Sequence, residues 1–143
     1  MVDSVVVLIH SQGNSEGPLR EAIEFYRPKM VFLISNHGAK GALLVKKHLD
    51  ERDTNKLGIF AKDIDYSELL FIDDAFSSDT VLQMFTQIDN AKNKAKEISN
   101  SKELKFYAGI SGGTKMMVVG SALAAINDNI STYYVNKESL EES

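Results

Sequence analysis

The chain has 143 residues, 43% of them hydrophobic and 25% charged, the length and balance of one globular domain able to bury its own core. It has no cysteine, which excludes disulfides and thiolate metal sites. A formal net charge of -4, from 16 basic against 20 acidic residues, argues against wrapping duplex DNA and leaves room for a small anion in a local pocket.

Ser4 to Ile9, SVVVLI, reads as a first strand, a continuous β-branched run of the kind that is covered on both faces. The segment that follows, His10 to Gly17 (HSQGNSEG), crowds Ser11, Gln12, Asn14 and Ser15 around Gly13. Such side chains suit sugar hydroxyls, phosphate oxygens or base edges; the alternative is that they only make turn hydrogen bonds. Pro18 to Tyr26 then carries Leu19, Ile23 and Tyr26 at helical spacing, with proline in the first turn.

Lys29 to Ser35, KMVFLIS, predicts a second strand, closed by Ser35 and the loop Asn36 to Gly38. His10 and His37 both fall at strand ends. A hydrogen-bonding role near a ligand suits them, and no third residue has metal-ligand spacing. Ala39 to Arg52 predicts an amphipathic helix with Leu43, Leu44, Lys47 and His48 in order, His48 on its solvated face. Lys56 to Tyr66 reads either as a short extra strand or as a long loop.

Glu68 to Asp73 predicts a third strand, with Asp73 and Asp74 in the turn after it. Thr80 to Ile98 predicts a helix with Asp79 as its N-cap and Val81, Phe85, Ile88 and Ala95 on one side. Leu104 to Ile110 is a fourth strand. Lys115 to Ile126 is apolar almost all round, which predicts a helix buried on two sides, with Met116 and Met117 as core residues. Ile130 to Asn136 is a fifth strand, and residues 138–143 form a polar tail after a domain of residues 1–137.

Alternating strands and helices predict an α/β fold: a Rossmann-like three-layer sandwich with a mainly parallel central sheet of five or six strands. In such sheets ligands sit at the carboxyl ends of the strands, near the switch in strand order. The first and fourth strands are expected to flank that switch, so their loops should face each other.

The fourth-strand loop, Ser111, Gly112, Gly113, Thr114, Lys115, has the chemistry of an anion cradle. Glycines permit close backbone approach, Ser111 and Thr114 supply hydroxyls, Lys115 supplies a charge, and the helix N-terminus points amides into the same space. It is not a Walker A loop, because Thr114 precedes the lysine and Met116 follows it. HSQGNSEG lacks the G-x-G-x-x-G spacing of a dinucleotide fingerprint.

These residues resemble the CARF domains, the CRISPR-associated Rossmann-fold sensors of cyclic oligoadenylate. That family carries a strand-four motif of Asp/Asn, any residue, Ser/Thr, three residues, then Lys/Arg. Here Ser111 and Lys115 fill the later positions, and Gly109 stands where the family has Asp/Asn. The opening strand, its polar loop and PKMVFLIS are similar as well, so the likeness covers nearly the whole chain.

The resemblance implies a homodimer whose joined faces bind a ring of adenylates, four by preference and six as the alternative. The contact residues it implies are His10, Ser11, Gln12, Gly13, Asn14, Ser35, Asn36, Ser111, Gly112, Gly113, Thr114 and Lys115. No metal and no cofactor is implied. Family members join such a sensor to an effector, so the chain is expected to serve a type III CRISPR antiviral effector with its output segment elsewhere. The location implied is cytoplasmic, with membrane attachment only through a separate segment. One alternative is a stand-alone, metal-independent ring nuclease in which each ribose 2′-OH attacks its neighbouring phosphate in line, with Ser11 and Lys115 as catalytic candidates. A second is a generic nucleotide-binding or interaction module.

Overall fold

The computed structural model describes residues 4–37, 39–100, 103–136 and 139–142. Gly38 of the second loop and Glu138 and Ser143 of the polar tail lie outside the described residues.

The elements in chain order are β1 (Ser4–Ser11), α1 (Gly17–Tyr26), β2 (Met30–Asn36), α2 (Lys40–Asp50), α3 (Thr54–Leu57), a 3-10 turn (Ile59–Asp63), β3 (Tyr66–Ile72), α4 (Asp79–Ser99), β4 (Glu103–Gly109), α5 (Lys115–Asn127), β5 (Ser131–Asn136) and β6 (Ser139–Glu142). The six strands form one sheet in the order β3-β2-β1-β4-β5-β6. The first five run parallel, and β6 pairs antiparallel with β5. This is the predicted three-layer α/β sandwich, with β1 and β4 adjacent at the switch point as expected.

The apolar runs are continuous because both faces of the sheet are covered. Val5, Val7 and Ile9 of β1 point to one face, where Phe32, Ile34 and Ile72 meet Met84, Ile88, Ala91 and Ala95 of α4 and Met117 and Ala124 of α5. Leu8, Val31 and Leu33 point to the other, against Leu19 and Ile23 of α1 and Val45 and Leu49 of α2.

Several local expectations are corrected. Residues 56–65 form neither an extra strand nor one long loop, and Tyr66 already opens β3. Asp53 accepts hydrogen bonds from the amides of Asn55 and Lys56, which starts α3, and Gly58 then turns the chain into the 3-10 segment. α2 buries Ala42, Val45 and Leu49, while Leu43 and Leu44 face outward. His48 is half-buried, with Nδ1 3.0 Å from Glu16 Oε1, which ties α2 to the start of α1. α4 starts one residue early, at Asp79, with Ser78 at the cap and no side-chain capping bond. α5 is buried on one side only: Gly120 packs on Met84 and Val81 of α4, whereas Val119, Leu123 and Ile126 are 44%, 47% and 74% exposed.

Candidate functional site

At the carboxyl end of the sheet the β1–α1 and β4–α5 loops lie against each other. Ser11 Oγ donates to the Gly112 carbonyl at 2.7 Å. A Cβ on Gly112 would stand 2.7 Å from the Ser11 carbonyl oxygen and 2.9 Å from Gly13 N, so this contact is backbone against backbone. Gly113 adopts φ 88°, a conformation costly for any residue with a Cβ. Ser35 Oγ, from β2, donates to the Gln12 carbonyl at 2.9 Å, and Gln12 Nε2 donates to the carbonyls of Gly13 and Ser15. Ser111 Oγ accepts from Val135 N at 2.7 Å. These side chains point inward and fix the loops.

Beneath the loops, three residues stand side by side on β1, β4 and β5: His10 pairs with Gly109, and Gly109 with Tyr133. His10 Nδ1 and Tyr133 Oη share a 2.7 Å hydrogen bond. Both rings are buried. Burial lowers the His10 pKa to about 4 and pushes that of the Tyr133 hydroxyl well above its ordinary value. The pair is therefore neutral at pH 7.

The β4–α5 turn also reaches the β3–α4 loop. Thr114 is the N-cap of α5: its Oγ1 accepts from Met117 N at 3.3 Å and donates to the Ala75 carbonyl. Beside this joint lies an open cleft of about 580 Å³ lined by Ala75, Phe76, Gly113, Thr114, Lys115 and Met116. Lys115 is exposed and takes part in no salt bridge among the described residues. Its ammonium group and the positive end of α5 thus share one edge of the cleft, an arrangement that favours an anion.

Two further polar groups flank this end of the sheet. His37 follows β2, with Nε2 3.3 Å from Asp73 Oδ1 and its ring stacked on Phe71 at 4.6 Å between centroids. Asn14 Oδ1 accepts from Gly41 N at 3.0 Å, giving α2 the capping group that its own Ala39 lacks. Among the described residues no group of three or more His, Asp or Glu could hold a metal ion.

Solved structures with the same architecture align over nearly the whole chain. Csm6 of Enterococcus italicus, bound to cyclic hexa-2′-fluoro-hexa-dAMP, matches 95% of this chain and 35% of its own, at TM-score 0.68 and 11% identity. A type III CRISPR defence DNA nuclease activated by cyclic oligoadenylate matches 98% of this chain and 20% of its own, at 0.58 and 14%. Can2 of Sulfobacillus thermosulfidooxidans, in complex with cyclic tetra-adenylate, matches 92% and 32%, at 0.54 and 12%. The chain shares the Rossmann-like fold of these proteins. It spans about a third or less of each of these proteins. No sequence-family model and no curated protein matches it.

Within this fold the expected contact residues divide into two groups. His10, Ser11, Gln12 and Ser35 are buried, and each is hydrogen-bonded to a neighbouring strand or loop. They lie beneath the loop surface and brace it from below. Of the two catalytic candidates, Ser11 has its hydroxyl engaged and only Lys115 presents its functional atom to solvent. Gly113, Thr114 and Lys115 line the cleft, Asn14 is exposed at the rim of α2, and Asn36 Nδ2 reaches Met117 Sδ at 3.9 Å. Sequence reasoning passed over Phe76. Its signal is a lone large apolar residue inside the polar stretch DDAFSSDT, with no helical or strand partner.

Proposed function

We propose that the chain binds cyclic oligoadenylate, cyclic tetra-adenylate first, in a pocket formed where two copies meet. It would be the sensor module of a type III CRISPR antiviral effector whose nuclease, DNA-binding or transmembrane output lies outside this sequence. The observation that carries this reading is Lys115: an exposed ammonium group beside a helix N-terminus, on a cleft at the switch end of a sheet whose fold is shared with proteins bound to cyclic adenylates. Two such ammonium groups related by a dyad would meet opposite phosphates of an even-membered ring. The exposed apolar stripe of α5 begins at the same cleft, which suits a subunit contact there.

Titration calorimetry with cyclic tetra- and hexa-adenylate tests the reading, alongside a thermal shift against mononucleotides. Binding of a ring is expected. Stabilisation by ADP or ATP alone would instead favour a generic nucleotide module.

A second reading, ring cleavage without metal, draws support from His37, which Asp73 and Phe71 hold in one orientation on the same end of the sheet. The ribose 2′ oxygen would attack the adjacent phosphorus as the bond to the 5′ oxygen breaks. The 2′ proton passes to that leaving oxygen, leaving a cyclic phosphate end, and in this reading His37 would carry it. Multiple turnovers of cyclic tetra-adenylate to linear di-adenylate in chelator, lost in His37→Ala, would establish this reading; intact ring after long incubation would remove it.

A further inference from the structure

Phe76 is 81% exposed, the most exposed large hydrophobic side chain among the described residues. A single exposed phenylalanine is ordinary on a mobile surface loop. This one sits on a turn held from several directions. Its amide donates to Asp74 Oδ1 at 3.0 Å, and Ser77 Oγ donates to Asp74 Oδ2 at 2.5 Å. These bonds hold the Asp74 carboxylate pKa below its ordinary value, the Ser77 hydroxyl contributing most. Thr80 Oγ1 donates to the Asp74 carbonyl at 2.7 Å, and Thr114 Oγ1 donates to the carbonyl of Ala75, the residue just before the phenylalanine. The backbone under the ring is already ordered, so binding against it costs little further chain entropy.

The ring lines the cleft that also holds Lys115 and the start of α5, and Met116 adds a second apolar side chain to the lining. An aromatic face beside an ammonium group and a helix N-terminus matches the two halves of a nucleotide: a flat base to stack and a phosphate to neutralise. We infer that Phe76 is the stacking platform for one base of the bound ring, with Lys115 taking the phosphate next to it. The inference rests on the cyclic-oligoadenylate reading of this cleft and adds to it the residue that would recognise the base.

The chain has no tryptophan, so Phe76→Trp introduces a sole indole at the site itself. Stacking of adenine on that indole should quench its emission saturably with cyclic tetra- or hexa-adenylate, whereas inorganic phosphate, which has no base, should leave it unchanged. Phe76→Ala should weaken ring binding roughly 10-fold in calorimetry, with the fold intact because the side chain is exposed. Three results are separable. If the wild-type chain binds neither ring, the reading of the cleft fails and takes this inference with it. If the wild type binds a ring while Phe76→Ala binds it equally well, or the Phe76→Trp emission ignores saturating ring, the inference alone is overturned. If Phe76→Ala loses the unliganded dimer in sedimentation, Phe76 is a subunit contact and the inference is likewise overturned.

Discussion

His10 and Tyr133 share their 2.7 Å hydrogen bond across Gly109, the strand residue that separates them. A Cβ at position 109 would lie 2.5 Å from both His10 Nδ1 and Tyr133 Oη. This gives a physical reason for the one departure from the CARF motif: the space of the Asp/Asn side chain is taken by a buried pair. Gly109→Asn, which would restore the motif, is therefore expected to destabilise the fold by about 2–3 kcal/mol, through overpacking and loss of a buried hydrogen bond. It should not tighten ring binding. Urea unfolding checks it; a midpoint equal to wild type would show that the row relaxes.

The same histidine sets a pH dependence. Its folded pKa of about 4 lies below the ordinary value of 6.5, because burial penalises the imidazolium. The unfolded chain thus binds the extra proton first, and stability is complete above about pH 6.5 and falls as pH drops toward 4. The span corresponds to roughly 3 kcal/mol at the acid end. Melting curves between pH 7 and 4.5 should show this slope in the wild type and a shallower one in His10→Gln.

How much of this was legible in the sequence follows from what each residue answers to. The five parallel strands announce themselves because burial on both faces forces unbroken apolar runs such as Val5–Ile9 and Met30–Ile34. The glycine turn before Lys115 is legible because its geometry is local. The inward turn of Ser11 and Gln12 is not. A polar loop residue is expected to face water, and here the partner of Ser11 lies 101 positions away on another loop. The outer face of α5 is hidden for a similar reason: its composition records hydrophobicity but not which side has a neighbour. Phe76 falls outside every periodic pattern, so neither helical nor strand spacing marks it.

Lys115 and Thr114 are adjacent, yet substitutions should separate function from fold. Lys115 is exposed in the first turn of α5, where the helix dipole disfavours a cation. Lys115→Ala is expected to leave stability unchanged or raise it by a few tenths of a kcal/mol, while most affinity for cyclic tetra-adenylate disappears. Thr114→Val removes both the helix cap and the bond to Ala75, at a cost of about 1–2 kcal/mol. Calorimetric affinity paired with unfolding midpoints reads both. Unchanged ring affinity in Lys115→Ala would remove the electrostatic basis of the proposed function.

The subunit contact is tested on α5 itself. Val119, Leu123 and Ile126 fall at i, i+4 and i+7, so they form one stripe, and all three are exposed in the single chain. A carboxylate at Leu123 would cost the isolated subunit little, since it would sit in water. In a dimer built on this stripe it would be desolvated without a partner, which costs several kcal/mol per subunit. Leu123→Glu should therefore keep its unfolding midpoint but run as a monomer in sedimentation. It should also lose ring binding, because the two Lys115 groups would no longer face one cavity. A Leu123→Glu chain that stayed dimeric and bound the ring normally would place the contact on another surface, and the cradle would have to be rebuilt around it.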